Sequence, residues 1–175
     1  MRENFFSPPL IKKVLVAGLI VGTLDIIAAF IDASLSFHST PGKVLNGIAG
    51  GAIGSENADG SFLMIVFGLL IHFFIVYSYT FSFYFIYPSI KKVIGNNIGI
   101  GILYGLFIWA TMRFIVLPTL SQVQFAPFKI TKAFKPMLIL IGAIGIPLSV
   151  MMSSIFKLPE KIKNNFVKAE NSLKQ

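Results

Sequence analysis

Cysteine is missing from this 175-residue chain, which excludes a disulfide framework, a thiolate zinc site, an iron–sulfur cluster and a cysteine nucleophile. Charge is scarce as well: 13% of residues are Asp, Glu, Lys or Arg, roughly half the share of an ordinary soluble domain. Acidic residues are scarcer still, seven against fifteen basic ones, for a formal charge of +8. No aromatic-basic module accompanies that excess, so nucleic acid is not an expected partner. Histidine occurs twice, in separate segments, and neither HExxH nor GxSxG is present. No motif therefore assembles the groups that metal-assisted hydrolysis or acyl transfer needs. We expect no enzymatic activity, no cofactor and no metal.

What the chain has in abundance is apolar surface: 55% hydrophobic residues and a mean hydropathy of +0.79, the values of a membrane protein. A spanning helix needs roughly 20 mainly apolar residues. Four runs meet that length, at about 14–37, 62–87, 98–117 and 137–156. Lipid offers the backbone no hydrogen-bond partner and the alternating pattern of barrel strands is lacking, so the runs are predicted to be helices. The first is too long for a signal peptide and no small-x-small site follows it, so it reads as a retained helix. The expected fold class is all-α: a polytopic membrane protein, a four-transmembrane-helix bundle in one domain, with a short interfacial or re-entrant segment between helices 1 and 2.

Lysine and arginine are retained on the cytoplasmic side of a membrane protein, so their distribution predicts orientation. Arg2, Lys12 and Lys13 precede the first run, Lys91 and Lys92 follow the second, and Lys157, Lys161, Lys163, Lys168 and Lys174 follow the fourth, ten in all. The other side has four, Lys43, Lys129, Lys132 and Lys135, and Arg113 lies inside a run. Both termini are predicted to be cytoplasmic, with residues 157–175 a basic tail beside an anionic lipid surface. Leu158, Ile162, Phe166 and Leu173 suggest that this tail forms a short amphipathic helix, or it frays.

The first run has the clearest pattern. Gly18, Gly22, Asp25, Ala29, Asp32 and Ser36 recur at steps of three and four, so one helix face is small or polar throughout. Leu15, Leu19, Ile20, Leu24, Ile27 and Ile31 occupy the others. Gly18 and Gly22 permit close helix approach, as do Gly101 and Gly105 in the third run. Ionisable groups inside a membrane are costly, and they mark either helix packing or function. By rise along antiparallel helices, Asp25 matches His72 in depth and Asp32 matches Arg113, and these two pairings are predicted. Asp25, Asp32, His72 and Arg113 form the candidate relay or ion-binding cluster. In the fourth run Gly142, Gly145, Ser149 and Ser153 line one side, and Pro147 is expected to bend the helix there.

Between the first two runs, residues 44–54 read VLNGIAGGAIG, too short to span and too apolar for a solvated loop. A P-loop is not indicated, because the Lys-Ser or Lys-Thr ending and the preceding strand are lacking. Glu56 and Asp59 fit a solvated turn better than a cation site. The connection from Pro118 to Pro136, with Phe125, Pro127 and Phe128, is expected to rest on the outer interface.

GTLDIIAAFIDA in the first run, VLNGIAGGAIG outside it, GLLIHFFIVYSYT in the second and GILYGLFIWATMRFIVLPTLSQ in the third together resemble small uncharacterised bacterial inner-membrane proteins of the YagU-like kind. That resemblance implies a bacterial cytoplasmic membrane, a four-helix layout and no assigned chemistry. Two function classes are compatible with the residues. A small transporter or proton- or ion-linked carrier would use the Asp/His/Arg cluster; a structural or partner-binding protein would use the same cluster to hold its helices in register. The lipid bilayer is the expected partner. A homodimer is also expected, since four helices rarely enclose a complete pathway.

Overall fold

The computed structural model describes residues 8–120 and 130–156. Every regular element among them is helical. α1 spans Pro8–Phe37, α2 Pro41–Ile53 and α3 Phe62–Ile94, with a 3₁₀ turn at Ser55–Asn57 between α2 and α3. α4, Asn97–Thr111, runs through a π-helical turn at Met112–Val116 into the short α5, Leu117–Leu120. α6, Ile130–Leu140, is joined by a second π-helical turn, Ile141–Gly145, to α7, Ile146–Ile155. Four of these continuous stretches are long and apolar enough to cross a membrane: Pro8–Phe37, Phe62–Ile94, Asn97–Val116 and Phe134–Ile155.

They fall on the four expected runs, the first extended at its start and the second at its end. α1 starts at Pro8 rather than near Val14, because proline is tolerated in a first helical turn and Lys12 and Lys13 are good helix formers. α3 continues through Pro88 to Ile94, past the expected end at Tyr87. Hydropathy measures only the part of a helix suited to lipid; caps decide where it stops. Local chemistry supplies those caps. Ser61 and Asn96 side chains accept from Met64 N and Ile98 N at 3.3 and 3.1 Å, and Thr40 caps α2 ahead of Pro41. α1 ends in an αL cap, His38 N to Ser34 O with His38 at φ +49°, and Ser39 N bonds back to Ala33 O.

α1 packs on α3 and on the α6–α7 helix, and so does α4, while α1 and α4 do not touch. The four helices therefore make a square in the order α1, α3, α4, α6–α7, each antiparallel to its neighbours, with α1 and α4 on a diagonal. One end gathers the starts of α1 and α4 and the ends of α3 and α7, with Lys12, Lys13, Lys91 and Lys92. There Ser149 donates to Asn97 O at 2.8 Å. The opposite end holds α2, which packs along α3.

Toward the lysine end the interior is filled by aromatic rings. Phe83, Tyr84, Tyr87 and Tyr104 are buried. Phe83 and Tyr104 lie 4.2 Å apart between centroids, and Phe156 stacks on Tyr84 and Tyr87 at 5.2 and 5.6 Å. Such pairs each contribute about 1 kcal/mol beyond their burial.

A close helix crossing joins α4 to the second π-helical turn. A Cβ at Gly101 would lie 2.7 Å from Ile146 Cα, one at Gly105 2.6 Å from Ile141 Cα, and one at Gly145 2.2 Å from the Gly101 carbonyl oxygen. Gly142, expected on the same stripe as Gly145, is exposed and faces open space. The π-helical turn accounts for this difference: with an extra residue in one turn, the helix before it is rotated by about 100° relative to the helix after it. It also lies immediately before Pro147, whose missing N–H would otherwise break an α-helical turn. The bend expected at Pro147 thus takes the form of a π-helical turn. α6 begins at Ile130, seven residues before the expected start at Met137. Phe125, Pro127, Phe128 and the tail from Lys157 lie outside the described residues.

Gly145→Ala should destabilise the protein by about 2 kcal/mol, because the clash is with backbone that only moves if both helices separate. Gly142→Ala, meeting nothing, should be neutral or slightly stabilising. Thermal unfolding of both variants in the same detergent checks the contrast.

Candidate functional site

α1 presents a bare strip to α3. A Cβ at Gly18 would lie 2.5 Å from Tyr77 Cε1, and one at Gly22 2.7 Å from Phe73 Cε1. Both glycines are buried beneath those rings. The bulky residues Leu15, Leu19, Ile20, Leu24, Ile27 and Ile31 face outward, 42–55% exposed. The Tyr77 hydroxyl donates to Leu15 O at 3.1 Å, so α3 is bonded to the α1 backbone above the glycine strip.

His72 lies on the same interface, 8% exposed. Its Nε2 is 2.9 Å from the carbonyl oxygen of Gly22. A carbonyl only accepts, so Nε2 carries the proton and Nδ1 is the nitrogen left to exchange one. Asp25, one turn beyond Gly22 on α1, is half-buried; it lies within electrostatic range of His72 but makes no hydrogen bond or ion pair with it. The structure thus joins His72 of α3 to Gly22 of α1, with Asp25 one turn along α1 near that bond but not bonded to the imidazole.

Asp32 belongs to a second site. Its carboxylate pairs with Lys135 of α6, accepts from Ser36 Oγ at 3.1 Å, and Ser36 Oγ in turn accepts from Lys135 Nζ at 2.7 Å. This corrects the expected Asp32–Arg113 pairing. Arg113 lies in the π-helical turn that continues α4, and α4 stands diagonally across from α1. Depth along a helix is set by residue count, but depth does not reveal which helices are neighbours. Lys135, expected in the outer connection, is brought to Asp32 because α6 begins early and its helix packs on α1.

Asn46 has a structural part that residue spacing does not announce. Its Nδ2 donates to Ala58 O at 3.0 Å and its Oδ1 accepts from Gly60 N at 2.9 Å. The side chain closes the 3₁₀ turn back onto α2, while Gly54 at φ +94° makes the reversal. The available signal was a lone amide in an otherwise apolar, glycine-rich segment. α2 is held tightly to α3: a Cβ at Gly68 would overlap the Leu45 carbonyl. At the start of α3 the Ser61 hydroxyl and backbone N–H bond to Asp59, holding its carboxyl below the usual carboxylate range. Glu56 accepts from Asn57 Nδ2 at 3.2 Å. A second polar chain was also unforeseen: Tyr104 OH donates to Tyr79 O at 2.7 Å, and Tyr79 OH meets Thr111 Oγ1 at 2.8 Å.

Among the described residues no three His, Asp or Glu side chains gather as metal ligands. Compared with known protein families, curated proteins and solved structures, the chain matches none.

A double-mutant cycle separates the two candidate partners of Asp32. Asp32→Asn with Lys135→Gln should show a coupling of about 0.5 kcal/mol, the scale for a largely exposed pair, whereas Asp32→Asn with Arg113→Gln should be additive. Asn46→Ala should cost about 2 kcal/mol, since it removes both hydrogen bonds that fasten the turn. Unfolding in detergent measures each.

Proposed function

We propose that this is a multi-pass protein of a bacterial cytoplasmic membrane, both termini cytoplasmic, in which Asp25 and His72 form a proton- or cation-binding pair of a small ion-linked carrier. The observation that carries the reading is His72 held by Nε2–H to the Gly22 carbonyl beside Asp25. A carboxylate and an imidazole at membrane depth have two protonation partners at hand and little water to compete for them. The bilayer setting rests on the four apolar helices, and the orientation rests on the lysine bias toward one end. The bacterial membrane rests on the YagU-like resemblance. α2 is read as lying in the outer interface, since it is too short to span and packs along α3.

A second reading has its own observation. Rings fill the bundle toward the lysine end, from Phe83 and Tyr104 to Phe156, and leave a single copy closed on that side. In that reading the polar pair fixes the α1–α3 register for a structural or partner-binding role. In the carrier reading a second copy completes the pathway, and the protein works as a homodimer.

Proton flux into vesicles holding the purified protein, with and without Asp25→Asn, tests the choice. The carrier reading expects wild-type flux that Asp25→Asn abolishes while thermal stability in detergent is retained. An absence of wild-type flux, with Asp25→Asn lowering only stability, would leave the packing role.

A further inference from the structure

At the lysine end an open cleft of about 560 Å³ lies between α1 and α7, a volume in the range of small-molecule sites. Its walls are Val16 of α1 with Val150, Met151 and Ile155 of α7, and Lys12 and Lys13 line it at the bundle's end. Val16 and Val150 are each 47% exposed, so the cleft opens on the outer surface of the bundle and not into the aromatic interior. Lys12 and Lys13 make no hydrogen bond or ion pair among the described residues. The described acidic residues, Asp25, Asp32, Glu56 and Asp59, all lie elsewhere: two within α1 beyond the cleft and two beside α2. Among the described residues, the two cations at the mouth of the apolar trough have no counter-charge.

We infer that this cleft is a binding site for an anionic phospholipid, with an acyl chain along Val16, Val150, Met151 and Ile155 and the phosphate against Lys12 and Lys13. The inference rests on the membrane reading above. In that setting the cleft passes from hydrocarbon to headgroup depth just where its lining changes from aliphatic to cationic. A water-soluble anion would match the lysines and leave the trough unused; a neutral lipid would match the trough and leave the lysines unused. An anionic lipid satisfies both. Basic pockets between helices on the cytoplasmic side of a membrane hold such headgroups by the same chemistry. Lys91 and Lys92, at the same end, offer a built-in comparison, because Lys91 already donates to Gly95 O and Asn97 Oδ1 and neither lines the cleft.

Native mass spectrometry of the full-length protein, with phosphatidylglycerol and phosphatidylcholine titrated in, tests the site. Phosphatidylglycerol should be retained in preference to phosphatidylcholine. Lys12→Gln with Lys13→Gln should weaken that retention about twenty-five-fold, at about fivefold per lysine, and Val150→Trp, which fills the trough and keeps the charge, should also reduce it. Lys91→Gln with Lys92→Gln should leave it unchanged. Equal retention of the two lipids, equal loss from both lysine pairs, or binding that appears only after residues 157–175 are removed would overturn the proposal, the last because the tail would then be the occupant. Extraction of the wild-type chain from membranes by alkaline carbonate would instead overturn the membrane reading on which the site depends.

Discussion

A histidine side chain can donate to the backbone of a neighbouring helix only where that helix offers no side chain in between. Gly22 meets that condition. Its carbonyl keeps a second lone pair after the helical bond and receives His72 Nε2 at 2.9 Å. The lack of a Cβ there and at Gly18 lets the rings of Phe73 and Tyr77 approach the α1 backbone closely. That close approach brings Asp25 near the imidazole, buries the polar seam and turns the leucines and isoleucines of α1 outward. Substituting either glycine would therefore alter electrostatics as well as packing, since the distance between α1 and α3 sets both.

The same principle acts on the other side of the square. Gly101, Gly105 and Gly145 let α4 and the fourth helix approach backbone to backbone. In a bilayer, which offers no hydrophobic driving force between helices, such van der Waals contact would be a main source of association. The cost appears as irregularity. A π-helical turn at Ile141–Gly145 brings Gly145 into register with its partners and absorbs Pro147, while Gly142 is rotated out. Another π-helical turn places Arg113. Turns of this kind recur where a helix must present a particular side chain in a direction that a regular α-helix does not permit.

Much of this was legible from residue spacing. Runs of apolar residues marked the four long helices, because length and hydropathy are local properties. The small and polar face of α1 was visible in its three-and-four recurrence, and the outward position of Leu15, Leu19 and Ile31 came with it. The partner of Asp32 was not legible. Depth along a helix is read from residue count, but adjacency in a bundle is a property of all four helices at once, and α1 and α4 proved diagonal. Lys135 was hidden because a proline comes next, at 136, which reads as a loop although the helix starts at Ile130 and accommodates that proline. The register shift at Gly142 was hidden for a related reason: an added residue in a turn leaves composition unchanged.

The bond from His72 Nε2–H to the Gly22 carbonyl, beside Asp25, is what fixes the α1–α3 seam. Magic-angle-spinning NMR of the protein in lipid bilayers, with ¹⁵N-histidine and ¹³C-glycine carbonyl labels and His38→Gln to leave one imidazole, observes that bond directly. A protonated Nε2 with a dipolar contact to the Gly22 carbonyl carbon is expected. An Nδ1-protonated ring, or a protonated Nε2 with no such contact, would contradict it.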